Sequence, residues 1–138
     1  MKATKNLLVL MGFSVLLLMT ACRTTPVRNV NLAPIPAASV GKSLTMAQVE
    51  KAIMLAGAEL GWTSSVQSPG VILATIRLRD HYAAVNITYS TVDYSISYKD
   101  STNLKYDGKS IHSNYNGWIE NLDKAIRRNL AREAYDNK

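Results

Sequence analysis

The feature that most constrains the fold is a run of alternating apolar and polar residues in the middle of the chain. Between Val71 and Arg79 apolar side chains occupy nearly every second position, and residues 82–90 and 94–99 repeat the alternation. A period of two places one face of each strand in a core and the other in water. Because the connections are too short for helical crossovers, we predict an antiparallel meander, with residues 62–67 as a fourth strand.

Two amphipathic helices flank this meander. The first begins after Thr45, which has capping-box spacing to Gln48, and it ends at Gly61, a residue suited to a left-handed helix end. The last begins between residues 113 and 115 and continues past Leu130. We therefore predict an α+β domain of two layers, in the order α-β-β-β-β-α, with both helices packed on one face of a four-stranded antiparallel sheet.

The first residues have the pattern of an export signal. Lys2 and Lys5 precede an apolar run from Leu7 to Ala21, which is shorter than the roughly 20 residues that span a bilayer. The run ends in the letters LMTAC, in which small residues precede Cys22, the only cysteine of the chain.

This ending resembles the lipobox of bacterial lipoprotein signals, although Met19 stands where that class usually has leucine. The resemblance implies that a signal peptide of residues 1–21 is cleaved, that a diacylglycerol joins the sulfur of Cys22, and that the new amine is acylated. Several acyl chains hold a protein firmly on a membrane, and we expect no cofactor beyond this covalent lipid. The alternatives are an ordinary cleaved signal peptide and an uncleaved anchor.

The expected location in the cell follows from the same resemblance. Arg23 is not the aspartate that resembles an inner-membrane retention signal, so we expect the cell envelope, with the domain on the outer membrane and facing the periplasm. Residues 22–42 contain three prolines and no helical period, which predicts a lipidated flexible tether before a single domain over residues 43–138.

The charge balance is mildly basic. The chain has 16 Lys and Arg against 10 Asp and Glu, and two of the basic residues lie in the signal. Nucleic acid is not expected as a partner, because export removes the chain from it. A positive balance suits anionic lipid, a cell-wall polymer or an acidic envelope protein.

The segment between Tyr94 and Trp118 is the most suggestive of recognition. Tyrosines alternate there with Ser and Asn, and aromatic faces beside amide groups can hold a sugar or a peptide. The alternative is that these aromatic residues close the core. The candidate binding surface consists of Asn103, Tyr106, His112, Asn114 and Tyr115.

A second candidate is a basic face of the sheet, formed by Arg77, Arg79 and Lys99, for which an ordinary solvated face is the alternative. The two histidines, His81 and His112, have no second ligand at a metal-binding spacing, so we predict no metal site. No nucleophile turn or glycine-rich phosphate loop is evident, and no catalytic residue is predicted.

Three runs, HYA at 81–83, YSI at 94–96 and YNGWI at 115–119, look loosely like small bacterial lipoproteins of unassigned function. We expect a non-enzymatic binding or assembly module, anchored on a membrane, for a protein or cell-wall partner. One alternative is a small periplasmic hydrolase that uses His81 or His112. Another is a periplasmic immunity or inhibitor lipoprotein.

Overall fold

A computed structural model describes residues 23–36 and 43–136. The predicted signal peptide and Cys22 lie outside the described residues, so their role stays a prediction. In chain order, the elements are β1 (Thr24–Pro26), β2 (Val30–Pro34), α1 (Met46–Glu59), β3 (Thr63–Ser68), β4 (Val71–Leu78), β5 (His81–Tyr89), β6 (Asp93–Thr102), β7 (Ser110–His112) and α2 (Ser113–Asp136). The α+β class predicted from the sequence is confirmed.

The main sheet has five strands in the order β2-β6-β5-β4-β3, and all of its pairs are antiparallel. The four strands predicted from alternation are the consecutive neighbours β3 to β6. The predicted arrangement of helix, four strands and helix is nevertheless wrong in detail. Strand β2 extends the sheet beyond β6, and β1 pairs with β7 in a second, two-stranded sheet.

The prediction of a flexible tether over residues 22–42 does not hold for β1 and β2. Its sparse apolar residues enter the core, since Val30, Ala33 and Ile35 are all buried. Pro34 is tolerated because β2 is an edge strand, where a missing backbone N–H is not needed by a neighbour. A bulge between Val30 and Ala33, with Leu32 at φ 47°, breaks the alternation that would have revealed the strand. Residues 37–42 lie outside the described ranges.

Both helices pack on the same face of the main sheet. Tyr89 and Tyr94 are paired across β5 and β6, so their side chains share a face. The hydroxyl of Tyr89 donates to the carboxylate of Glu50 on α1, and that of Tyr94 donates to Asp123 Oδ1 on α2 at 2.5 Å. Burial and this hydrogen bond raise the pKa of Tyr94 far above its usual value. The hydroxyls therefore fix both helices against one layer of side chains.

The helix ends follow the sequence signals. The Thr45 hydroxyl accepts from the Gln48 backbone N–H at 3.2 Å, and Gln48 Oε1 accepts from the Thr45 N–H at 2.8 Å, so the capping box is confirmed. Gly61 follows with φ 81°, a left-handed conformation. Helix α2 starts at Ser113, directly after β7. Within residues 23–36 and 43–136, no helix combines the length and apolar character needed to cross a membrane.

The loop of residues 103–109 joins β6 to β7 at one end of the sheet. Leu104 is buried there, and its carbonyl accepts a hydrogen bond from the His112 N–H at 2.8 Å. The start of β1 is nearby, because Thr24 pairs with His112 and the Arg23 carbonyl accepts from the Ser113 N–H at 2.9 Å. This end of the domain therefore brings together the loop, the first described residues and the start of α2.

Candidate functional site

Two clefts open in this part of the molecule, and the first is built around tyrosines. It has a volume of about 600 Å³. We call it the tyrosine cleft, and its lining residues are Tyr98, Lys99, Asp100, Ser101, Asn103, Leu104, Lys105 and Tyr106. The rings of Tyr98 and Tyr106 are stacked with centroids 4.1 Å apart. The cleft therefore combines an aromatic wall with side chains of both charges.

The rim of the tyrosine cleft has an unusual backbone. Asn103 and Lys105 have φ values of 60° and 54°, in the left-handed region that side chains other than glycine rarely adopt. Such residues persist only where the surroundings hold them, and they are concentrated at binding and catalytic sites. Leu104 lies between them in the chain, and its buried side chain fixes this part of the loop to the core. The rim is thus a fixed shape and not a loose connection.

Asp107 stabilises the far side of the same loop. Its Oδ1 accepts the backbone N–H groups of Ser110 at 2.7 Å and Lys109 at 2.9 Å. These two hydrogen bonds, that of Ser110 first, hold the pKa of the Asp107 carboxyl below its usual value. Asp107 is therefore a turn-forming residue in this structure, and neither histidine is among its hydrogen-bond partners.

Tyr115 supports the tyrosine cleft from inside the core. Tyr115 is predicted from the sequence to lie on the binding surface, but its side chain is fully buried, so this prediction is wrong. Its ring meets that of Tyr98 edge-on, with centroids 5.8 Å apart. Burial raises the pKa of Tyr115 far above its usual value, and its hydroxyl has no hydrogen-bond partner among the described residues. Tyr115 therefore positions the stacked pair and does not itself meet a ligand.

A second cleft, of about 320 Å³, lies between the β4–β5 hairpin and the start of α2. We call it the tryptophan cleft, and it is lined by Leu78, Arg79, His81, Asn114 and Trp118. A smaller pocket of about 80 Å³ adjoins it and shares Leu78 and Trp118. Asn114 is predicted from the sequence to share a surface with Asn103 and Tyr106, but it lines this separate cleft.

Asn103 and His81 connect the two clefts. The Nδ1–H of His81 donates to the Asn103 carbonyl at 2.8 Å, and Asn103 Nδ2 donates to Asp80 Oδ2 at 2.6 Å. The other Asp80 oxygen is 3.6 Å from His81 Nε2. His112 is engaged elsewhere, since its Nδ1 accepts the Asn114 N–H at 3.1 Å. In the described part of the chain, no three His, Cys, Asp or Glu side chains are grouped to hold a metal ion.

The predicted basic sheet face is not formed. Arg77 lies over the ring of Tyr82 at 5.1 Å and is engaged in a cation–π contact. Arg79 is in the two-residue turn after β4, with φ 57°, and Lys99 is the extra residue of a bulge opposite Ala84 and Val85. Arg79 lines one cleft and Lys99 the other, so the three cations have three different surroundings. A turn and a bulge interrupt the alternation on which the prediction depended.

The chain matched no protein-family model, no curated protein and no solved structure. The geometry of the two clefts is therefore the main guide to function. An aromatic stack beside amide and charged groups can bind a polar ligand with apolar faces, such as a sugar or a peptide.

Proposed function

We propose that this chain is an envelope lipoprotein, anchored through a lipid on Cys22, whose domain is a non-enzymatic binding module for a cell-wall polymer or an envelope protein. The tyrosine cleft is the observation that supports a binding role for the domain. The lipobox-like ending before Cys22 supports the anchor, and Arg23, in place of the aspartate that resembles an inner-membrane retention signal, supports the outer membrane with the domain facing the periplasm.

The tyrosine cleft suits recognition because its shape is set before a ligand arrives. Tyr106 is about two-fifths exposed, and its ring already rests on Tyr98, which in turn contacts buried Tyr115. A rigid aromatic anchor loses little conformational entropy on binding. Lys99 and Asp100 line the same cleft and offer both charges to a peptide or to the acidic groups of a polymer.

Tyr106→Ala tests the proposal, with Tyr135→Ala as the matched control. Tyr135 is also exposed but lies at the far end of α2. Removal of an aromatic hot spot should weaken binding about tenfold. The protein extracted from membranes would be sedimented with purified cell-wall sacculi, and binding would be compared for the two variants.

A photo-crosslinking residue at position 106, with the same residue at position 135 as control, tests the protein-partner form of the proposal in cells. We expect a discrete adduct from position 106 only. Unchanged sacculus binding by Tyr106→Ala, together with no adduct from position 106, would remove the tyrosine cleft as the binding site.

One observation favours a second candidate, a small periplasmic hydrolase. His81 faces the tryptophan cleft, is hydrogen-bonded through Nδ1 and has a carboxylate 3.6 Å from Nε2, which is a beginning of an acid–base arrangement. If His81 acts in catalysis, His81→Ala should lose the envelope function while His112→Ala keeps it. Full function in both variants would exclude this candidate.

A further inference from the structure

The first described residues, Arg23 and Thr24, are both fixed to the domain. Thr24 is paired with His112, and the Arg23 carbonyl is 2.9 Å from the Ser113 backbone nitrogen. Arg23 is joined to Cys22 by a single peptide bond, and consecutive α-carbons are 3.8 Å apart, so a lipid on Cys22 would begin one residue before a residue that is fixed to the start of α2. If Cys22 carries lipid, as the proposed function states, this end of the domain must lie against the membrane.

The tryptophan cleft opens at that same end. Asn114, which lines it, directly follows Ser113, the residue that holds Arg23. Its other walls come from the β4–β5 hairpin, which Asn103 ties to the loop beside β7. The attachment point of the anchor and the mouth of the cleft are therefore neighbours in the fold.

The chemistry of the cleft is amphipathic. Leu78 is 43% exposed and Trp118 is half-buried, so the wall is apolar yet open. Tryptophan is favoured at the level of lipid headgroups because its ring is apolar and its N–H is polar. Arg79 and Asn114 add a guanidinium and an amide, and guanidinium matches the geometry of a phosphate. The carboxylate of Asp80, the residue after Arg79, accepts a hydrogen bond from the Asn103 amide at 2.6 Å.

Arg79 differs from the arginines of α2. Arg127 is paired with Asp123, and Arg128 and Arg132 both approach Glu59. No ion pair involves Arg79 within residues 23–36 and 43–136, although it occupies a left-handed turn position that favours glycine. The cation at the anchor end is thus available for an external anion, whereas those at the far end are compensated within the domain.

From this placement we propose that the tryptophan cleft binds an anionic phospholipid of the leaflet in which Cys22 is anchored. The phosphate contacts Arg79 and Asn114, and the glycerol and first methylene groups lie against Leu78 and Trp118. The bound lipid orients the domain on the membrane. The tyrosine cleft is thereby held close to the surface, facing partners within reach of the leaflet.

The test uses the lipidated protein purified from membranes and reconstituted into phosphatidylcholine vesicles, with or without phosphatidylglycerol. Brominated acyl chains quench a nearby tryptophan, and the protein contains two, Trp62 and Trp118. Trp62 is buried, so the difference between the parent protein and Trp118→Phe reports on Trp118. We expect quenching of Trp118 that depends on phosphatidylglycerol and is lost in Arg79→Gln. Arg132→Gln is the matched control and should keep it.

The outcomes separate this proposal from the anchor on which it depends. Mass spectrometry of the same sample measures the lipid on Cys22, and an unmodified thiol would overturn both the anchor and the cleft proposal. A lipidated Cys22 with an unquenched Trp118, or equal loss in the Arg79 and Arg132 variants, would overturn the cleft proposal alone. Displacement of the lipid by glycerol 3-phosphate in solution would show an anion site without selectivity for lipid, and would also overturn it.

Discussion

The two clefts lie side by side but are constructed in different ways. The tyrosine cleft is carried by the loop of residues 103–109, whose backbone is left-handed at two non-glycine positions and whose aromatic wall stands on buried Tyr115. The tryptophan cleft is formed by side chains from a hairpin and a helix, and Arg79 supplies its only left-handed residue. The shape of the tyrosine cleft depends on the core beneath it. The shape of the tryptophan cleft depends on how the β4–β5 hairpin and α2 are placed relative to each other.

This difference has a consequence for function. A cleft whose shape depends on the core presents one fixed surface, which suits selection of a particular partner. A cleft between a hairpin and a helix, with an apolar wall and a free cation, suits a ligand that is chemically simple and abundant. This difference is the reason for proposing the selective contact at the tyrosine cleft and the lipid contact at the tryptophan cleft.

Of the variants that test this difference between the clefts, Tyr115→Ala should cause the largest loss of stability. Removal of a fully buried aromatic side chain should lower the free energy of unfolding by about 3–5 kcal/mol and release Tyr98 from its edge contact. Trp118→Ala should cost less, because Trp118 is only half-buried. Urea denaturation followed by circular dichroism measures both.

Tyr115→Phe is the control for this experiment. It keeps the ring and removes a buried hydroxyl that has no partner among the described residues, and such a group costs about 1–3 kcal/mol to bury. We expect an unfolding free energy equal to or above that of the parent protein. Destabilisation by Tyr115→Phe would mean that the hydroxyl is satisfied, and the account of Tyr115 as a purely apolar support would be wrong.

The sequence predicts the tyrosine cleft better than the tryptophan cleft for a physical reason. Asn103 and Tyr106 lie close together in one polar segment, so composition alone points to them. Their neighbour Tyr115 has the same aromatic and amide surroundings in the sequence, and only its position on the inner side of α2 makes it a core residue. Leu78 and Trp118 are forty positions apart and meet only through the fold.

The fold also divides into parts that nearby residues predict and parts that depend on distant partners. Alternation in β4 and β5 and the capping signal at Thr45 predict the sheet and α1, because each depends on residues that are near in sequence. Strands β1 and β2 depend on distant partners, β7 and β6, and their short proline-containing segments carry no period. A bulge at Leu32 and a turn at Arg79 also shift side chains in ways that a fixed period of two cannot anticipate.

Arg79→Gly should change the free energy of unfolding less than Tyr115→Ala does, and should raise it instead of lowering it. Glycine accepts the left-handed conformation of Arg79 without strain, so the free energy of unfolding should rise by about 1 kcal/mol, while the contact with lipid phosphate is lost. Arg77→Gly is the matched control in the strand, where glycine should destabilise by about 0.5–1 kcal/mol. Destabilisation by both variants would indicate that the Arg79 side chain stabilises the hairpin, and that the tryptophan cleft is not strained.

The smallest effect is expected from Asp107→Asn, and it should depend on pH. Because two backbone N–H groups lower the pKa of the Asp107 carboxyl in the folded state, its ionised form stabilises the loop of the tyrosine cleft at pH values above the ordinary value of 3.8. That contribution is lost as the pH falls through the lowered pKa, since the folded protein must then bind the proton. The parent protein should therefore be slightly more stable than the variant at pH 7, and the difference should shrink as the pH falls below 3.8.

Urea denaturation at both ends of this pH range measures the difference in stability, with Asp136→Asn, at the far end of α2, as control. A difference that is independent of pH would show that the hydrogen bonds, and not the charge, hold this side of the tyrosine cleft.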